Sequence, residues 1–164
     1  MPQGIEEAIF SMYRRVLKIE YSLLLENYRT IIHYAAKTSD SFSIITEQIK
    51  PYGVTPPKCK HDAFLAPIYG CLDHQIVGAK TWPGTNTSAK HMVMNLYRMT
   101  KVTQKWLDEI PNPFLLCDNK PQDICFYRKA EALMYAVTHE NEAVVVNPTD
   151  EDIRFFSQFE HRPF

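Results

Sequence analysis

The sequence predicts an α+β fold, mainly helical over its N-terminal two-thirds with a long first helix, and with a small antiparallel β-meander and a closing helix near the C-terminus. Three observations carry that expectation. Apolar residues step by fours and threes from Ile5 to Leu23, the same stepping returns from Met92 to Ile110, and β-branched and aromatic runs fall between residues 123 and 146. A chain of 164 residues, 45% of them hydrophobic, is long enough to bury one sizeable core and reads as one domain over 1–164, helical in 1–110 and with the sheet and last helix in 111–164.

The first helix rests on Ile5, Ile9, Met12, Val16, Ile19 and Leu23, which share one stripe, with no Gly or Pro between residues 5 and 36 to stop it. At about 1.5 Å per residue it would reach roughly 48 Å. A helix of that length, apolar on more than one side, suggests a homodimer joined through it. Thr38-Ser39-Asp40-Ser41 then offers N-cap side chains, and Phe42, Ile45 and Ile49 follow at helical spacing until Pro51, so a short second helix is expected there. The stretch Pro51-Tyr52-Gly53-Val54-Thr55-Pro56-Pro57 must be irregular or extended, because proline removes a donor and turns the residue before it away from the helix. Helical turns interrupted near Pro67 and Gly70 are expected over 62–78, followed by a turn at Trp82-Pro83-Gly84.

A helix over 88–110, capped by Thr87 or Ser88, is predicted from Met92, Leu96, Met99, Thr103, Trp106 and Ile110, and Pro111 ends it. Lys90, Arg98, Lys101 and Lys105 would share about 80° of its opposite face, the one concentrated basic surface. Strands are expected at 123–127, 133–137 and 143–146 as a three-stranded meander. Arg128-Lys129-Ala130-Glu131-Ala132 favours helix and holds no Gly or Asn for a tight turn, so a helix over 127–138 stands as the alternative. Asn147-Pro148-Thr149 followed by Asp150, Glu151 and Asp152 supplies an N-cap and an acidic first turn for the closing helix.

Composition narrows the function. Five Gly stand against eleven Pro, and four of the five lie between residues 53 and 84. Phosphate-cradling loops and nucleophile elbows need clustered glycine so that backbone can approach a ligand or turn sharply, and no such cluster is present. The net charge of −1 creates no global field toward nucleic acid or membranes, although 51–110 carries +3 and 111–164 carries −4. No apolar run approaches the roughly 20 residues of a membrane span and no export signal is visible, so a cytoplasmic protein without membrane contact is expected, with Cys59, Cys71, Cys117 and Cys125 as reduced thiols.

Four constellations are candidates for chemistry. Cys59 and His61 followed by Cys71 and His74 supply thiolate and imidazole ligands suited to tetrahedral zinc, with Asp62 and Asp73 available to orient the imidazoles, though the spacing matches no standard knuckle and buried cysteines explain the same residues. His139 beside Glu140 and Glu142 is a candidate general base, but the metalloprotease pattern would need a histidine where Ala143 stands. The basic stripe of Lys90, Arg98, Lys101 and Lys105 is a candidate for nucleic acid, against the plainer reading of a solvated helix face. Tyr52, Tyr69, Trp82 and Tyr97 lie in or beside the proline-rich middle and are candidates for a recognition surface. Whether the chain is an enzyme stays open. The leading expectation is a macromolecule-binding or inhibitory module with a protein partner, which needs none of the missing catalytic devices; the alternative is a zinc-dependent enzyme or zinc-stabilised protein using Cys59, His61, Cys71 and His74.

Overall fold

A computed structural model describes residues 15–115 and 120–163. Its centre is a seven-stranded antiparallel sheet built from β1 (Val16–Lys18), β2 (Ser41–Glu47), β3 (Leu72–Val77), β6 (Met92–Arg98), β7 (Gln122–Arg128), β8 (Glu131–Val137) and β9 (Glu142–Val146), in the order β1-β9-β8-β7-β2-β6-β3. A separate hairpin joins β4 (Thr81–Trp82) to β5 (Thr85–Asn86). The helices α1 (Tyr21–Glu26), α2 (Tyr28–Thr38), α3 (Asp62–Leu65), α4 (Lys101–Glu109) and α5 (Asp150–Phe156) are short. The expectation of a mainly helical N-terminal two-thirds is therefore wrong: the chain is mostly antiparallel sheet.

The long first helix is the largest correction. Ile5, Ile9 and Met12 lie outside the described residues, and Val16, on the expected stripe, belongs to strand β1. Ile19 then bridges to Glu160, and Asn27 separates α1 from α2 with backbone angles outside the helical range while its amide caps the Leu23 carbonyl at 2.9 Å. The face that α2 buries is Ile31, Ile32, Ala35 and Ala36 instead. A dimer joined through one long helix loses its structural basis here.

The expected second helix is β2, the strand between β6 and β7. Ile44, Ile45 and Thr46 are β-branched, and a strand buried on both faces reads as a continuous run with no alternation to reveal it. Phe42 and Ile44 enter the main core, whereas Ile45 packs on the other face with Trp82, Ala79 and Met92. The expected helix over 88–110 is half right at most: 92–98 is strand β6, paired from Ser41↔Arg98 to Glu47↔Met92, and the helix starts only at Lys101, with Thr100 as its N-cap. There the Thr100 hydroxyl accepts the Thr103 N–H at 3.3 Å and the Thr103 hydroxyl accepts the Thr100 N–H at 2.7 Å, a reciprocal cap that sets the boundary.

Strands β7, β8 and β9 form the three-stranded meander and α5 closes the chain. The alternative helix over 127–138 gives way to a two-residue turn in which Lys129 and Ala130 both adopt left-handed φ, 51° and 63°. All the longer helices lie on one face, where Phe42, Phe126, Met134 and Val145 meet Leu24, Ile31, Trp106, Leu107 and Phe156. The hairpin β4–β5 covers part of the other face. Its Gly84, at φ +83°, sits so close to Tyr135 and Val137 that a Cβ would fall 2.5 Å from the Tyr135 ring.

Candidate functional site

A cavity of about 590 Å³ opens on the helix-bearing face at the β3 end of the sheet. The sheet supplies its floor through Leu72 and Gln75 of β3 and Asn95 and Tyr97 of β6, while α3 and the 3-10 turn Ala66–Cys71 form one wall with Asp62, Leu65 and Tyr69. The proline-rich loop forms the other wall through Val54, Pro56 and Pro57. That loop is tied at its neck: Ile49 N–H donates to the Lys58 carbonyl at 2.9 Å, Lys60 N–H donates to Glu47 at 2.9 Å, and Gln48 bridges Cys59. Glu47 also takes the Lys60 ammonium at 2.6 Å and His91 at 2.9 Å. The Lys60 contact leads in holding the Glu47 carboxyl below its ordinary pKa.

The floor is preorganised by hydrogen bonds that cross the strands. Asn95 donates to the Ile44 carbonyl at 3.1 Å and to the Thr46 hydroxyl at 2.9 Å, and its own carbonyl accepts from Gln75 at 2.7 Å. With Asn95 locked, Gln75 is held in one rotamer beside the cavity. Tyr97 stacks its ring on Phe42, centroids 5.3 Å apart, and is 2% exposed. Its hydroxyl makes no hydrogen bond among the described residues. Burial pushes the Tyr97 phenol well above its ordinary pKa, helped by the nearby Asp62, Cys59 and Tyr69. Asp62 accepts the Cys59 N–H on Oδ2 at 2.9 Å, and Oδ1 has no hydrogen bond among the described residues.

Of the four aromatic candidates, two meet here. Tyr69 and Tyr97 line the cavity. Tyr52 belongs to the same loop but stacks on His91, centroids 5.9 Å apart. Trp82 is on the other face, largely buried, with its indole N–H donated to Asp123 at 2.9 Å, and it lines a separate depression beside the β4–β5 hairpin. The basic residues do not form a stripe, because the helix that would align them is interrupted by β6. Lys90 precedes β6, Arg98 ends it and donates to the Gly70 carbonyl at 3.1 Å, Lys101 opens α4, and Lys105 sits 3.9 Å from Glu109.

The zinc constellation is also dispersed. Cys59 is buried beside Gln48, and Cys71 sits 3.4 Å from the Thr100 hydroxyl. His74 stands exposed on β3, 3.0 Å from Asp73, and His61 precedes α3. Among the described residues no three His, Cys, Asp or Glu side chains are placed to share a metal ion. Cys59, Cys71 and Cys125 are free thiols, and burial raises the pKa of Cys59 and takes Cys125 up to about 12, so neither is a ready thiolate. Cys117 lies outside the described residues. His139 is exposed, 3.7 Å from Glu140.

Sequence reasoning singled out Tyr69 and Tyr97 but missed Gln75 and Asn95, twenty positions apart and joined by the β3–β6 register. Asn95 within the apolar run of β6 was the available signal; Gln75 follows Asp73 and His74 in a half-polar strand and gave none. A second depression, between α2 and α4, is lined by Arg29, His33 and Asp108, but its polar groups already engage one another: Arg29 donates to the Asp108 carbonyl and His33 lies 3.8 Å from the Asp108 carboxylate. No described helix is long and apolar enough to cross a membrane. Compared with known proteins, the chain matches no family model, no curated protein and no solved structure.

Proposed function

We propose that this protein is a binding module that captures an extended segment of a protein partner along strand β3. One observation carries the proposal: β3 is an edge strand whose outer side pairs with no described strand, and the cavity opens beside it. An edge presents a row of unpaired N–H and C=O groups, and an added strand satisfies them while alternate side chains reach pockets on one face of the sheet. Leu72 and Gln75 are the β3 residues that face the cavity, so a strand laid against them brings its own side chains over the opening. Ile76 and Val77, both substantially exposed, add apolar surface at the same edge. Such capture needs no catalytic group.

The test is to pan a display library of random twelve-residue peptides against the full chain and follow amide hydrogen exchange with an enriched peptide bound. Slowed exchange over Leu72–Val77 is the expected result. Failure to enrich any peptide, or protection confined to other elements, overturns the proposal.

A further inference from the structure

The cavity beside β3 carries a more specific inference, which rests on strand capture for its macromolecular form. Tyr97 is 2% exposed and lines the cavity, yet its hydroxyl makes no hydrogen bond among the described residues. A hydroxyl on a cavity wall with no partner in the protein is free to bond a ligand, at a net gain of about 0.5–1.5 kcal/mol per hydrogen bond. Tyr97 is one of the residues that line the cavity, so a group bound there comes within reach of its hydroxyl. Asp62 adds a free acceptor oxygen to the same cavity, held in place by the Cys59 N–H. Val54, Pro56, Pro57, Leu65 and Leu72 leave the rest of the lining apolar.

We propose that this cavity receives the side chain of a tyrosine carried by the captured strand, its ring packed between the proline loop and Leu65, its hydroxyl accepting from Tyr97 and donating to Asp62. The competing chemistries fit less well. A carboxylate or phosphate would meet the Asp62 charge, and the one cation in the lining, Lys58, is exposed like Asp62 and offsets that repulsion only in part. A plain phenyl ring fills the apolar walls and leaves both Tyr97 and Asp62 unpaired. A carboxamide satisfies the two polar groups but leaves the apolar walls and most of the 590 Å³ unused.

The experiment uses p-cresol and toluene as probes, titrated into the full chain by NMR, with Tyr97→Phe and Asp62→Asn as variants. The wild-type chain is expected to bind p-cresol roughly tenfold more tightly than toluene, the worth of a hydroxyl that makes two hydrogen bonds. Tyr97→Phe keeps the ring on Phe42 and is expected to bring that ratio down to between one and threefold. Asp62→Asn weakens p-cresol and leaves toluene unchanged. Equal binding of the two probes by the wild type, or binding of neither, overturns the tyrosine assignment. The two proposals separate cleanly: a peptide that protects β3 but loses nothing when its tyrosine becomes phenylalanine refutes the tyrosine pocket alone. A p-cresol preference without any peptide on β3 refutes strand capture alone.

Discussion

The two edges of the sheet are treated in opposite ways. At β1 the edge is closed: Ile19 bridges Glu160, His161 N–H donates to the Lys18 carbonyl at 2.8 Å, and Glu20 N–H donates to Phe159 at 2.8 Å. Glu20 also contacts the His161 ring, and this leads in holding its carboxyl below the ordinary pKa. At β3 no described residue supplies such a strap. The same half of the molecule as β1 carries a satisfied ionic clamp, in which Arg128 grips Asp152 through two bonds of 2.9 Å, Tyr34 donates to Asp152 at 2.8 Å, and Thr149 donates its N–H at 2.8 Å. The β3 half has a satisfied network of its own in Gln75, Asn95 and Thr46, but beside it stands the Tyr97 phenol, which makes no hydrogen bond among the described residues.

The largest test of that contrast removes the clamp. Asp152→Ala leaves Arg128, Tyr34 and the α5 cap without their common acceptor, and a loss of about 3 kcal/mol in unfolding free energy is expected by urea denaturation. If stability is unchanged, the clamp is ornamental and the contrast between the two halves fails. Acid titration probes the same group without mutation. Burial alone would raise the Asp152 pKa, but the Arg128 fork, the Thr149 N–H and the Tyr34 hydroxyl outweigh it and hold it from 3.8 down to about 2. A carboxyl depressed on folding stabilises the protein above its unfolded pKa. About 2 kcal/mol is therefore present above pH 4 and disappears as the pH falls toward 2, a decline that Asp152→Ala should flatten. The smallest effect lies on the open side. Tyr97→Phe removes a hydroxyl that makes no hydrogen bond among the described residues, so the thermal midpoint should stay within the change that ~0.5 kcal/mol produces, or rise. A clear loss would mean that the hydroxyl is structural and the cavity is not waiting for a partner.

Legibility in the sequence differs between the same two halves. Ala143-Val144-Val145-Val146 and the alternation from Leu133 to Val137 mark β9 and β8, and Thr149 with Asp152 marks the start of α5 as a reciprocal cap. On the other side, Met92, Leu96 and Met99 mimic helical spacing by coincidence. In strand β6 the residues that alternate are Val93, Asn95 and Tyr97, paired with β2, and both faces are covered. The site was half visible for a related reason. The prolines announce an irregular loop wherever it packs, and Tyr69 and Tyr97 stood out as aromatics near it. Gln75 and Asn95 become neighbours only through the β3–β6 register.

By itself the sequence determined what is encoded within a few residues: the C-terminal meander, the capped closing helix, the irregular proline loop and the lack of glycine-built phosphate loops. Tertiary structure alone decided that residues 41–47 and 92–98 are adjacent strands, that β1 is strapped while no described strand covers the outer side of β3, and that the buried Tyr97 shares a cavity lining with Asp62. Caps and turns are settled by backbone groups one to four positions away. Strand pairing and the satisfaction of a buried hydroxyl depend on residues dozens of positions distant, and only the folded sheet brings those together.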